Sequence, residues 1–272
     1  MRVAACQLRA TEDVGDNLAR AEALLREAAA AGAELAALPE YVAYLGTAAG
    51  LAATAEPLDD GAIARRFGEL AHELGMWILA GTLVESVGTC RYDTAPLFDP
   101  SGTLVARYRK IHLFDVDLPG QPPFRESAVV RAGHELVTHD TGSARLGLAI
   151  CYDLRFPELF RGLVARGAEV LLLPAQFQQL TGRAHWHVLV RARAIENQCF
   201  VVAPAQWGPY GPSEEGRQSF GHSLVVGPWG EVLAEGPPEG DAVLVADLDL
   251  SELRRIRRTL PALQHRRLGP AC

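Results

Sequence analysis

A pair of near-copies restricts the fold of this chain more than any other feature. Gly32-Ala33-Glu34-Leu35-Ala36-Ala37-Leu38-Pro39 is echoed by Gly167-Ala168-Glu169-Val170-Leu171-Leu172-Leu173-Pro174. Each copy follows a helical pattern, and each helix follows a short apolar run beside a cysteine, Cys6 or Cys151. A strand–helix–strand unit of this kind lays its two strands parallel. Two such units predict an α/β fold with related halves, although the spacing of cysteine and echo differs between them. In open α/β sheets ligands bind beyond the carboxyl ends of the strands. The residues at those ends therefore carry the functional argument.

Apolar runs place strands at Arg2–Gln7, Glu34–Leu38, Trp77–Leu83, Tyr92–Phe98, Thr103–Arg109, Leu136–Asp140 and Leu146–Ile150. Further strands fall at Cys199–Ala203, His222–Val226, Glu231–Ala234 and Val243–Asp247. Helical spacing covers Leu18 to Ala28, Gly61 to Gly75, Pro157 to Gly167, Ala184 to Asn197 and Leu250 to Leu260. Asp99-Pro100-Ser101-Gly102 is a hairpin turn. Gln176 to Arg183 reads as a polar loop, and Gly208 to Gly216 as a mobile loop and lid. Leu51 to Pro57 is small, apolar and unassigned.

Three residues stand at strand ends. Cys151 comes directly after Leu146–Ile150, and Pro157 opens a helix six residues later. A thiol on such a bend projects into a cleft, with backbone N–H groups able to face an oxyanion. The bland alternative is a buried cysteine acting as a small hydrophobe. Glu40 ends Ala37-Leu38-Pro39-Glu40 and is either a surface carboxylate or a site residue. Lys110 ends the Thr103–Arg109 strand. The chain has 26 Lys+Arg, and Lys110 is the only lysine among them. Where arginine serves every other cationic position, a retained lysine points to a role that needs a compact ammonium. His112 reads as structural. Glu126, in a loop of mixed charge, reads as solvated. A carboxylate, an ammonium and a thiol form a set that hydrolyses amides without metal. Glu40 takes the thiol proton, and Lys110 with the Tyr152 N–H holds the oxyanion.

The hydrophobic share of 49% and charged share of 22% are those of a soluble globular protein. A net charge of −7 argues against a nucleic-acid binder. No apolar stretch approaches membrane-spanning length, and the N-terminal apolar run is too short for a signal peptide. Five scattered cysteines without Cys-x-x-Cys fit a reducing cytoplasm. Cys6 reads as a core residue. His185 and His187 are two apart on a helix and point apart, and no other cluster has metal spacing, so no metal is expected. No glycine-rich phosphate loop is present, and no cofactor is expected.

Leu38-Pro39-Glu40, Tyr108-Arg109-Lys110-Ile111-His112-Leu113 and Cys151-Tyr152-Asp153-Leu154-Arg155-Phe156-Pro157-Glu158 resemble the three signature motifs of the carbon–nitrogen hydrolase (nitrilase) superfamily. Thr181-Gly182-Arg183-Ala184-His185-Trp186, Gly221-His222-Ser223 and Pro228-Trp229-Gly230 extend the resemblance. Asp115 to Gly120 and Arg125-Glu126-Ser127 make the chain most similar to the branch of deaminated glutathione amidase and omega-amidase. Arg183 and His187 depart from that branch, which often has Pro and Glu there.

The resemblance implies one domain over residues 1–272, folded as a four-layer α-β-β-α sandwich and assembled as a homodimer or larger. It implies catalytic Glu40, Lys110 and Cys151, adds Glu126 as a second active-site glutamate, and leaves Tyr152, Phe177 and Thr181 on the substrate and oxyanion side. The expected enzyme hydrolyses a small carboxamide, first deaminated glutathione, through a Cys151 thioester. The rivals are α-keto ω-amides, N-carbamoyl amino acids, nitriles, or a non-catalytic binding protein of the same fold.

Overall fold

The computed structural model describes residues 1–119, 123–211 and 216–268. The chain begins with β1 (Arg2–Gln7), α1 (Val14–Ala30) and β2 (Leu35–Ala37), then α2 (Ala48–Ala53), α3 (Ala62–Leu74) and β3 (Trp77–Leu79). β4 (Leu83–Val87), β5 (Cys90–Phe98) and β6 (Leu104–Arg109) complete the first half. Two short strands, β7 (Asp115–Val116) and β8 (Phe124–Arg125), lead to β9 (Thr138–Asp140) and β10 (Arg145–Leu148). α4 (Pro157–Ala165), β11 (Val170–Leu172), α5 (Gln179–Asn197) and β12 (Phe200–Ala203) follow. The chain closes with β13 (Trp207–Pro209), β14 (Gln218–Phe220), β15 (Leu224–Val226), β16 (Val232–Glu235), β17 (Ala242–Asp247) and α6 (Leu250–Thr259).

The two echoed units are realised as parallel pairs. Val3 of β1 lies opposite Leu35 of β2, and Leu146 of β10 opposite Val170 of β11. Each pair forms the middle of a larger sheet. The first runs β17-β1-β2-β3-β5-β4, with β6 also on β5; the second runs β16-β15-β12-β11-β10-β9.

Alternation along the strands explains the layering. Val3, Ala5, Leu35, Ala37 and Leu79 point one way and share a core with Leu146, Leu148 and Val202 of the second sheet. Ala4, Cys6, Ala36 and Ile78 point the other way, onto Leu25 of α1 and Phe67 and Leu70 of α3. Phe160 and Leu163 of α4 and Trp186 and Val190 of α5 join the core on the second sheet's side. The order is helix, sheet, sheet, helix, the four layers expected. Cys6 is fully buried, and burial pushes its thiol up to about 12.

Some boundaries differ from the sequence reading. The single strand expected over Trp77–Leu83 is two, because Gly81, at φ 59°, interrupts the ladder: β3 and β4 both run antiparallel to β5, with the register shifted by one residue between Leu79↔Leu97 and Leu83↔Thr94. The polar loop at 176–183 is shorter than expected: α5 starts at Gln179, with Thr181 and Gly182 already buried. Leu51 to Pro57 starts inside α2. The expected lid at 208–216 begins in the β13–β14 hairpin, and its residues 212–215 lie outside the described residues.

Candidate active site

The three strand-end residues converge, although 111 residues of sequence separate the first from the last. Cys151 follows β10 and is held in the left-handed region at φ 41°. A non-glycine residue there is strained and persists only where its surroundings dictate it. They do so here. The Cys151 N–H donates to the Pro174 carbonyl at 2.9 Å, at the end of the second echo. The Ile150 N–H donates to Asp153 Oδ2 at 2.9 Å, closing the turn that puts Pro157 at the start of α4.

Asp153 also binds the lysine segment. It accepts from the Tyr108 hydroxyl at 2.7 Å and from the His112 N–H at 3.2 Å. The His112 ring bonds Asp153 at 2.7 Å and stacks flat on Phe156, with centroids 3.7 Å apart. His112 therefore braces the turn and does not face the thiol, in line with its structural reading.

Lys110 is 2% exposed, which is rare for lysine. Its ammonium donates to Glu40 Oε1 at 2.7 Å and to both Glu126 oxygens at 2.8 and 2.9 Å. Burial works against this charge, but Glu126 and Glu40 outweigh it and hold the ammonium well above the ordinary lysine range. Removing one partner from such a buried pair costs about 3–5 kcal/mol, so the cluster is stable only as a set.

Glu40 is fixed from the second half. The Gln176 N–H donates to its Oε2 at 2.7 Å, and the Gln206 side chain donates to its carbonyl at 2.8 Å. Burial raises the Glu40 carboxyl above its usual range despite Lys110. Burial and the nearby Glu40 charge push the Cys151 thiol well above the ordinary cysteine value. The Cys151 thiol thus stands beside a carboxyl group of raised proton affinity, a pairing suited to proton transfer.

Glu126 is not a solvated loop residue. It is 3% exposed and accepts from the Tyr41 hydroxyl and the Phe114 N–H, each at 2.6 Å. Its position depends on contacts remote in sequence, which a mixed-charge loop does not advertise.

Tyr152, Phe177 and Thr181 line the same narrow cavity as Glu40, Lys110, Glu126 and Cys151. The Thr181 hydroxyl is turned back to the Gln178 carbonyl at 3.3 Å. Arg155 adds a cation to the lining, its guanidinium 5.2 Å from the centre of the Phe177 ring. The cavity shares Tyr41, Phe124, Glu126 and Gln176 with a second, outer cleft that Cys151 does not line.

Sequence reasoning missed Asp93 and Arg155. Asp93, in mid-strand β5, is fully buried 3.9 Å from Lys110, and neither of its oxygens has a hydrogen-bond partner. Burial, then the Glu40 charge, raises its carboxyl well above the usual range. Glu40, Asp93 and Glu126 are close enough together to hold a metal ion, but the Lys110 ammonium already sits among them as the cation. His185 and His187 do point apart, to Arg155 and to Glu235. Folding joins His187 to His222 and Glu235, from three separate elements that spacing along one helix cannot reveal.

Comparison with known proteins agrees with this architecture. The sequence profile of the family described as carbon-nitrogen hydrolase matches residues 2–258. The chain is 44% identical over 272 residues to human deaminated glutathione amidase, covering 97% of this chain and 82% of that protein. It is 39% identical over 269 residues to the human omega-amidase NIT2, covering 98% and 95%. Saccharomyces cerevisiae Nit3, described as a member of branch 10 of the nitrilase superfamily, superposes with a TM-score of 0.87 at 28% identity, covering 98% of this chain and 97% of Nit3. Two sheets between helical layers, a family match along nearly the whole chain and amidase relatives at about 40% identity lead to one assignment: the chain belongs to the carbon–nitrogen hydrolase family, among its amidases.

Proposed function

We propose that this amidase cleaves the amide of deaminated glutathione through a Cys151 thioester, with Glu40 as general base. Glu40 accepts the thiol proton as Sγ attacks the amide carbon. The Lys110 ammonium and the Tyr152 N–H stabilise the oxyanion of the tetrahedral intermediate. Glu40 then returns the proton to the amine, which departs and leaves the thioester. Glu40 next deprotonates a water that attacks the thioester, releasing a carboxylate and restoring the thiol. Glu126 keeps Lys110 placed through both steps.

The observation that carries the substrate choice is that two pockets share four lining residues, an inner one at Cys151 and an outer one away from it. The inner one, with Arg155 on its wall, suits a short acyl group ending in a carboxylate. The outer cleft gives room for an amine tail. Deaminated glutathione has such a tail. An α-keto ω-amide releases only ammonia and needs the inner cavity alone, which makes it the second reading.

The test measures amine or ammonia release from deaminated glutathione, α-ketoglutaramate, an N-carbamoyl amino acid and a nitrile, with Cys151→Ala as the blank. The expected result is Cys151-dependent turnover, with the highest kcat/KM on deaminated glutathione. Preference for α-ketoglutaramate would move the assignment to omega-amidase. An inert Cys151 with no turnover would leave a binding protein.

The reading extends to one domain over residues 1–272, a cytoplasmic location and a homo-oligomer. In support of assembly, Leu180, Val188 and Ile195 form an exposed apolar stripe on α5, and Trp229 is 64% exposed on a loop that packs against Ile195. Such a patch marks an interaction surface.

A further inference from the structure

Away from the thiol, His187 of α5, His222 ahead of β15 and Glu235 at the end of β16 meet at one point. Glu235 Oε1 lies 3.0 Å from His187 Nε2 and 2.8 Å from His222 Nδ1. All three ligand atoms lie within 4.8 Å of one another. Ligands of a tetrahedral Zn²⁺ sit about 2.0–2.1 Å from the ion, hence roughly 3.4 Å apart. The two measured separations fall a few tenths of an ångström short of that. His187 and His222 are partly exposed and Glu235 is exposed, so small side-chain rotations open the set. The solvent side leaves a fourth position for water.

The backbone imposes part of this geometry. His222 is in the left-handed region at φ 53°, an uncommon conformation for a non-glycine residue. Gly221 before it is at φ 72°, with the Pro238 carbonyl 2.3 Å from where a Cβ would stand. The Trp186 indole N–H donates to the His222 carbonyl at 2.7 Å and fixes the segment to α5. Two imidazoles and one carboxylate suit a first-row transition metal, and do not suit Mg²⁺ or Ca²⁺, which take oxygen ligands.

We propose that His187, His222 and Glu235 form a binding site for a divalent transition metal of the Zn²⁺ type. The site joins α5 to β15 and β16. It also adjoins the substrate cavity, because Trp186 packs on Phe177 with ring centroids 5.1 Å apart. It borders the exposed stripe of α5, so stoichiometry is counted per chain in the assembled protein.

The test is calorimetric titration of Zn²⁺ into the full chain carrying Cys151→Ala, which removes the active-site thiolate as a competing ligand. The expected result is one ion per chain, with affinity lowered at least tenfold in both His187→Gln and Glu235→Gln. Zn²⁺ should also raise Tm in the parent and not in His187→Gln, since a ligand that binds only the folded state stabilises it. His187 is on a partly exposed helix face, so its variant keeps the test decisive if Glu235→Gln fails to fold. Co²⁺ absorption separates the sources, because a thiolate site shows sulfur-to-metal charge transfer and this site does not. Three outcomes each overturn the proposal: no saturable binding, undiminished affinity in His187→Gln, or a thiolate band.

Discussion

Around Lys110 stand three carboxyl groups, Glu40, Asp93 and Glu126, all buried. One ammonium cannot offset three charges in a dry site, and Asp93, without a hydrogen-bond partner, is the group that burial drives to keep its proton. The sign of the linkage follows. Unfolded, Asp93 ionises above about pH 3.9. Folded, it stays protonated, so its contribution to stability falls as pH rises above that value. Asp93→Asn removes this slope. Thermal melts should show the variant gaining Tm over the parent at pH 7, with the gain fading towards pH 4. A constant difference across that range would mean that Asp93 is ionised in the fold. Glu40, Lys110 and Cys151 were legible because each closes an apolar run. Asp93 was not, since an acid in a β-strand ordinarily marks the solvent face, and its burial depends on what packs over β5.

Gly81 shows what an element boundary can hide. A continuous apolar run reads as one strand, yet Gly81 at φ 59° makes a bulge that shifts the register on β5 by one residue, with the Pro39 carbonyl 2.0 Å from a would-be Cβ. Only glycine fits both demands. Pro39 precedes Glu40, so this close contact also positions the Glu40 segment. Gly81→Ala should cost about 1–3 kcal/mol in denaturant unfolding, and lower kcat by displacing Glu40. Unchanged midpoint and turnover would remove this constraint. α5 was read too short for a related reason. Gly182 is a poor helix former, but it lies directly under Phe220, where any larger side chain collides. The helix extends to Gln179 because β14 covers it, and local propensity does not report that.

At the scale of the whole molecule, the sandwich uses both faces of each sheet and leaves apolar surface on one outer helix. Leu180 is 50% and Val188 67% exposed. Introducing charge at Val188 should split the homo-oligomer we propose: light scattering is expected to give a dimer or larger for the parent and a monomer for Val188→Asp. Persistence of the oligomer would place the contact elsewhere. The sequence by itself marked the strand–helix–strand units and three candidate site residues, and its resemblance to a known family implied the four layers. Strand periodicity, the repeated strand–helix–strand unit and polar groups at strand ends are local signals, written along the chain. The tertiary structure alone decided the burial of Glu126 against Lys110, the places of Asp93 and Arg155, the sharing of four residues by two cavities, and the meeting of His187, His222 and Glu235. Those depend on burial and on distances between segments far apart in the chain, and a side chain's charge, reach and partner are set by what the fold packs against it.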